Sequence, residues 1–424
     1  MITVRDFYEE FNTYSQVVID SRKVNSGDIF FAFSGENYNA ATRAEEALEK
    51  GAMAVIVEDK SFENKSKNIF YVSSTLDFLQ GMAAEHRRHI KVPVIGLTGS
   101  NGKTTTKELI SAVLAKKFRV RHTQGNLNNH IGVPLTVLSI ESADEIAVIE
   151  MGANHLGEIG LLCNISQPDF GYITNFGKAH LEGFGSMEGV IEGKSEMYLY
   201  LMNSQKYVWV NDQDDIQQEK TKGYKKKISF GKENSDYFFE SFSSIHRIGI
   251  SLEGGVQALS RLTGAYNFAH LSIAAAMGLY FGIDKKKIKA AIENYTPTNM
   301  RSQIIRKENK TILLDTYNAN PSSMEASLKN FADFRGRKTI ILGDMLELGI
   351  DSEKEHKAIF KMASKMGFDS IITVGEHFGK LNKYRAFGGT ASLINYLREN
   401  PIISENVLIK GSRGIALEEI IDFV

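Results

Sequence analysis

Apolar and polar residues fall into blocks along this chain. Short unbroken apolar runs are followed, again and again, by stretches with apolar residues three and four apart. Residues 29–33 and 54–57 read as buried strands flanking a helical segment at 40–50, a βαβ-like unit. A polar stretch at 61–67 and a helical pattern around 78–89 follow, and Lys91-Val92-Pro93 places a boundary near residue 90. The runs 94–97, 146–149 and 172–174 suit parallel strands covered on both faces. From Tyr207 to Leu262 short β-like runs alternate with charged turns, of which Lys225-Lys226-Lys227 reads as solvated, and 267–280 returns to helical spacing. Strand-like runs at 311–314, 339–342, 370–374 and 407–409, separated by helical patterns, predict a doubly wound parallel sheet. The whole is an α/β chain in three blocks, 1–90, 91–297 and 298–424.

Composition narrows the class. At 424 residues the chain is long enough for several cores. A formal net charge of -1 leaves no electrostatic footprint for nucleic acid or an anionic membrane. The single cysteine, Cys163, excludes an internal disulfide, fits a reducing compartment and reads as a half-buried structural thiol. No apolar stretch approaches the length of a membrane span, so a cytoplasmic protein without membrane insertion is expected.

The most informative segment is Thr98-Gly99-Ser100-Asn101-Gly102-Lys103-Thr104-Thr105-Thr106, between the run 94–97 and a helical pattern carrying Leu109, Ile110, Val113 and Leu114. Strand, glycine-rich loop and helix in that order make a triphosphate cradle. Gly99 and Gly102 let backbone N–H groups approach phosphate oxygens, and the helix aims its positive end at them. Lys103 reaches the outer phosphates, and the Thr104 hydroxyl completes a magnesium site. The glycine of the general pattern, five places before Gly102, is replaced by Leu97.

Glu150 ends the run 146–149, where a carboxylate projects into the crevice of a parallel sheet and can serve magnesium with Thr104. His180 lies beyond the next strand, where an imidazole is as readily a packed residue as a metal ligand. Lys194 follows on a helical pattern, as a phosphate-binding point charge or an exposed lysine. Asp315-Thr316-Tyr317-Asn318-Ala319-Asn320-Pro321 offers an acid, an aromatic and amides to a nucleotide, yet a turn and helix cap would produce nearly the same letters.

Taken together these segments resemble the Mur ligase family over essentially the whole chain. The loop 98–105 is similar to the family's phosphate loop, which also accounts for Leu97. The stretches around Asn128-Asn129, Glu150, His180 and Lys194 recur in family order. The segments 179–186, 317–321 and Leu342-Gly343-Asp344-Met345-Leu346-Glu347-Leu348-Gly349 resemble the branch that adds D-alanyl-D-alanine. They set it apart from branches adding the third peptide residue and from folate polyglutamate ligases.

The resemblance implies an N-terminal domain for the UDP-sugar, a central P-loop ATPase and a Rossmann-like C-terminal domain. It further implies ATP-dependent joining of D-alanyl-D-alanine to UDP-N-acetylmuramoyl-tripeptide through an acyl phosphate, by a cytoplasmic monomer using ATP and magnesium. Carried over by position, Ser21, Arg22, Asn37 and Asn39 would meet the UDP end, and Asn128, Asn129, Asn318, Lys410 and Arg413 the rest of the substrate. Gly99, Asn101, Gly102, Lys103, Thr104, Thr105, Asn267, Arg301, Asp315 and Tyr317 would hold the nucleotide. Thr104, Glu150, His180 and Lys194 would serve metal, Lys194 as a carbamate. Two departures stand out: Tyr266 replaces a usual histidine before Asn267, and His270 replaces an asparagine.

Overall fold

The computed structural model describes residues 2–244, 246–298, 300–307, 309–382 and 385–424. Its first sheet is parallel, with β1 (Val17–Val18), β2 (Ile29–Phe31), β3 (Ala54–Val57) and β4 (Ile69–Tyr71) side by side in chain order. The second sheet holds β5 (Val94–Thr98), β6 (Val120–His122), β7 (Ile146–Glu150), β8 (Phe170–Ile173), β9 (Tyr207–Asn211) and β10 (Lys227–Phe230). Its order is β10-β9-β8-β5-β7-β6, parallel throughout. The chain therefore departs to opposite sides of β5, and ligands of such sheets bind beyond the strand ends at that reversal.

A small antiparallel sheet follows, β11 (Glu240–Ser244), β12 (Arg247–Leu252) and β13 (Val256–Thr263). The fourth sheet comprises β14 (Gln303–Lys307), β15 (Lys310–Asp315), β16 (Lys338–Gly343), β17 (Ser370–Val374), β18 (Ala386–Phe387) and β19 (Asn406–Lys410). It runs β14-β15-β19-β16-β17-β18, and only β14 is antiparallel to its neighbour.

The periodicity differs from the structure in three places. The run at 172–174 belongs to a strand that starts at Phe170 and stops at Ile173, because Thr174 turns out of the sheet and donates to Asn101 O at 2.6 Å. The β-like runs between Tyr207 and Leu262 serve two sheets, the first two extending the parallel one. Strand β14 carries no apolar run, since it is a half-exposed edge, and the helix Val4–Phe11 was not marked by the pattern.

Packing fixes the loop that matters. Leu109, Ile110, Val113 and Leu114 of the helix Lys103–Leu114 are fully buried, against β5 on one side and the helix Phe268–Tyr280 on the other. Each such burial contributes about 1.5–3 kcal/mol, so the helix start cannot drift.

The joint between the first and second sheets is a continuous apolar core with one buried cation set into it. Arg87, 8% exposed on the helix Thr75–His89, donates to Ser166 O, Ile90 O, Gln167 O and the Asp169 carboxylate. Cys163 is completely buried, more so than its sequence context implied, and burial pushes its thiol pKa up, which leaves it unreactive. Among the described residues no helix is long and apolar enough to cross a membrane.

Candidate active site

Parallel registers bring the polar residues together. Leu97, the residue before the loop opens, pairs with Glu150 at the end of β7, and Asp315 pairs with Lys410 at the ends of β15 and β19. These two strand-end clusters face one cavity of about 930 Å³, which both the second and the fourth sheets line.

The loop itself needs its glycines. Gly99 has φ +137°, and a Cβ there would lie 2.0 Å from Thr174 Oγ1; Gly102 has φ +77°, and a Cβ would meet the His270 ring at 2.3 Å. Side chains tie the loop to the exit of β8: Asn101 N donates to Asn175 Oδ1 at 3.1 Å, and Ser100 Oγ donates to Gly177 O at 2.9 Å. Lys103 Nζ donates to Gly99 O at 2.7 Å. Burial pulls its pKa down to about 8, with Glu150 acting in the opposite direction and Arg301 reinforcing the fall.

Glu150 is almost wholly buried. Its Oε1 accepts from Thr104 Oγ1 at 3.2 Å and from Asn128 Nδ2 at 2.8 Å, while Oε2 is buried with no hydrogen-bond partner among the described residues. A buried carboxylate oxygen without a donor is costly unless a cation or a proton satisfies it.

Across the cavity the Arg301 guanidinium lies 3.7 Å from the centre of the Tyr317 ring, and Arg413 lies 5.6 Å from the same ring. Lys410, 1% exposed, donates to Asp315 Oδ2 at 2.6 Å. Removing either partner alone would strand a buried charge at about 3–5 kcal/mol, so Lys410 is first the counter-ion of Asp315. Asn320 caps the helix Pro321–Ala332 and also donates from Nδ2 to Asn101 Oδ1 at 2.8 Å. The turn-and-cap reading of that segment therefore holds, and the same asparagine joins the fourth sheet to the loop 98–106.

Comparison with known proteins decides the family. The profile described as Mur ligase family, catalytic domain, matches residues 13–87, that of the Mur ligase middle domain matches 97–278, and that of the Mur ligase, glutamate ligase domain, matches 300–391. The UDP-N-acetylmuramoyl-tripeptide--D-alanyl-D-alanine ligase of Bacillus subtilis is 35% identical, over 96% of this chain and 93% of that protein. The chain belongs to the Mur ligase family. Its Escherichia coli relative of the same name is 33% identical over 96% of this chain and 93% of that one. Among solved structures, MurF from Acinetobacter baumannii superposes with a TM-score of 0.86 at 30% identity, covering 99% of this chain and 98% of that one. The MurF ligase of Thermotoga maritima in complex with ADP gives 0.83 at 27% identity, covering 98% and 97%.

In this Mur ligase the sequence-derived positions sort by place. Asn101, Gly102, Lys103, Thr105, Asn128, Asn129, Glu150 and His180 line the cavity from the second-sheet side, together with Asn267. Arg301, Asp315, Tyr317, Asn318 and Lys410 line it from the fourth-sheet side. Thr104 sits just beneath, bonded to Glu150. Asn129 also holds the turn leading into the helix Gly132–Leu138, its Oδ1 accepting from Ile131 N and Gly132 N.

Lys194 is neither exposed nor at the cavity surface. It is fully buried, its Nζ donates to Ala153 O at 2.9 Å and lies 4.9 Å from the Phe184 ring centre. Burial first, then the charge of Lys103, pull its pKa well below the usual lysine range.

Ser21 and Arg22 stand apart, on a second cavity of about 410 Å³ shared with Tyr38 and Arg43. Asn37 lines neither cavity. Asn39 is spent on structure, its Oδ1 accepting from Ala41 N and its Nδ2 donating to Asp59 Oδ2 at 2.8 Å.

Sequence reasoning did not give His270 its place. Its Nδ1 lies 2.8 Å from Thr106 Oγ1, which donates to Gly102 O, and burial lowers its pKa to about 4, so the ring is neutral. The letters marked it only as a departure from a family asparagine, because the contact joins residues far apart in the chain.

The donor set fits magnesium: hard oxygens from Thr104 and Glu150, one of them buried without a partner. Among the described residues no cluster of three or more His, Cys, Asp or Glu side chains forms a metal cage. Magnesium commonly keeps waters and substrate phosphates as its remaining ligands.

The lowered Lys103 pKa carries a test. Phosphates favour the charged amine, so if Lys103 meets the nucleotide phosphates, affinity is expected to be complete below about pH 8 and to fall as pH rises through that value. Calorimetric titration with ADP between neutral and alkaline pH is expected to show affinity dropping by up to about tenfold per unit above it. A Lys103→Arg variant is expected to lose that slope; a flat wild-type profile would contradict it.

Proposed function

We propose that this chain is an ATP-dependent ligase joining D-alanyl-D-alanine to UDP-N-acetylmuramoyl-tripeptide, which gives the pentapeptide precursor of peptidoglycan. The observation that supports it best is the single cavity in which the phosphate-loop lysine and Glu150 face Arg301, Asp315 and Tyr317. A nucleotide bound along the loop would present its outer phosphate between the two sheets, where a carboxyl end can meet it.

A carboxylate does not condense with an amine at neutral pH, because its anionic oxygen is a poor leaving group. Transfer of the γ-phosphoryl group to the tripeptide's terminal carboxylate breaks the bond to the β-phosphate and forms an acyl phosphate plus ADP. The neutral dipeptide amine then attacks the acyl carbon, the C–O bond to phosphate breaks, and the proton lost by the nitrogen passes to the departing phosphate or to solvent as the amide forms. Lys103 holds charge on the transferring group, and positioning rather than a protein nucleophile carries the chemistry. Bound magnesium, held by Thr104 and Glu150 with His180 at a second position, would neutralise phosphate charge. Contacts such as Asn320 Nδ2 donating to Asn101 Oδ1 join the two sheets, and a closed cleft would keep water from the anhydride.

In this reading Asn267, Arg301, Asp315 and Tyr317 handle adenine, ribose and phosphates, and Ser21 and Arg22 take the UDP end in the second cavity. The division of labour is 1–90, 91–297 and 298–424, and the protein works as a cytoplasmic monomer. The neutral amine of Lys194 is the form that adds carbon dioxide, so carbamylation there is part of the proposal.

One assay tests the reading: inorganic phosphate release with ATP, the UDP-muramyl tripeptide and D-alanyl-D-alanine, each omitted in turn. Release that needs all three is expected. Release from ATP alone would identify a switch-type NTPase instead.

A further inference from the structure

We propose that Glu347 is a positioning residue for His180: reaching over from the fourth sheet, it fixes the imidazole so that its other nitrogen serves the cavity. Glu347 Oε2 lies 2.6 Å from His180 Nδ1. The two segments also share a backbone hydrogen bond, Glu182 N donating to Glu347 O at 3.3 Å. Gly349 sits against Glu182, where an added Cβ would come within 3.4 Å of its Cα.

Both partners hold an uncommon backbone. His180 has φ 54° and Glu347 φ 63°, the left-handed region that non-glycine residues rarely adopt. Such conformations persist where the surroundings over-determine them, and they gather at functional sites. The surroundings here are explicit. The Asp344 carboxylate accepts from His377 N at 2.9 Å and Phe378 N at 2.8 Å. Met345 N donates to His356 Nε2 at 2.9 Å, Leu346 N donates to Ser412 Oγ at 3.0 Å, and Met345 and Leu348 are buried. The segment 342–349, which stood out in the sequence without a role, is thus a rigid arm ending in one carboxylate.

The carboxylate oxygen against Nδ1 favours the neutral tautomer protonated there, which leaves the lone pair on Nε2. His180 lines the main cavity. A carboxylate behind a histidine fixes its tautomer and makes it a better ligand. Because the arm belongs to the fourth sheet, the histidine is set only when that sheet meets the second.

The inference rests on the ligase reading for its kinetic part alone. Glu347 is 50% exposed, so Glu347→Ala leaves the core intact. In that variant kcat for the full reaction is expected to fall about tenfold to a hundredfold with KM for ATP little changed. Glu347→Gln, whose amide oxygen still accepts from Nδ1, is expected to recover part of the loss. The independent readout is the 15N spectrum of histidine-labelled protein without substrates, at alkaline pH, with His180 identified by comparison with His180→Asn. Wild-type protein should show Nδ1 protonated; Glu347→Ala should move the proton toward Nε2. An unchanged kcat in Glu347→Ala, or an unchanged tautomer, overturns the proposal. Should wild-type protein show no phosphate release dependent on D-alanyl-D-alanine, the ligase reading fails while the spectra still decide the pairing.

Discussion

Lys103→Ala is expected to lose on the order of a hundredfold or more in kcat, with the melting temperature little changed. The lysine is the one cation of the loop 98–106, and among the described residues its Nζ bonds only to the loop's own carbonyls, Gly99 O and Ser100 O. Truncation therefore opens no apolar cavity and breaks no buried ion pair. What it removes is a charge aimed at the place where negative charge gathers during phosphoryl transfer. Continuous phosphate-release kinetics with all three substrates, alongside a thermal melt, make the measurement. Near-normal turnover in a folded variant would sink the assignment of the loop.

Glu150→Gln is expected to cost on the order of a hundredfold to a thousandfold in turnover and to raise the magnesium concentration needed for half-maximal rate at least about tenfold. The amide keeps one oxygen to accept from Thr104 and Asn128, so the local hydrogen bonds survive. It replaces the partnerless Oε2 by an NH₂ group, which repels a cation. A structural role would give the reverse pattern, a lowered melting temperature with an unaltered magnesium requirement. Titrating magnesium at saturating ATP separates the two.

What was legible in the sequence was local. The phosphate loop, its strand and its helix are contiguous, and their chemistry follows from letters within about one turn of each other. Glu150 was legible because a strand end in a parallel sheet has a known direction. Distant pairings were not. His270 against Gly102, and Glu347 against His180, join segments that only the packing of separate sheets brings together. Asn39 and Asn129 show a different limit: an asparagine before a helix has the same letters whether it caps the helix, holds the turn into it or meets a substrate. Lys194 escaped for a third reason. Its helix buries Val190, Gly193, Met197, Tyr198 and Leu201 as well, and a lysine on an apolar face reads as exposed until the neighbours are known. Strand β14 lacked a signal because an edge strand half in water needs no apolar run.

The Arg87 junction has a consequence for what the molecule accepts. Four acceptors hold that guanidinium within a shared apolar core, which resists change in the separation between the smaller cavity near Arg22 and the loop at Lys103. A stiff span of this kind works as a ruler. In the proposed reading, a molecule anchored at one end is measured against the other, and one shorter or longer by a residue is expected to put its reactive tip off target however tightly its head is gripped.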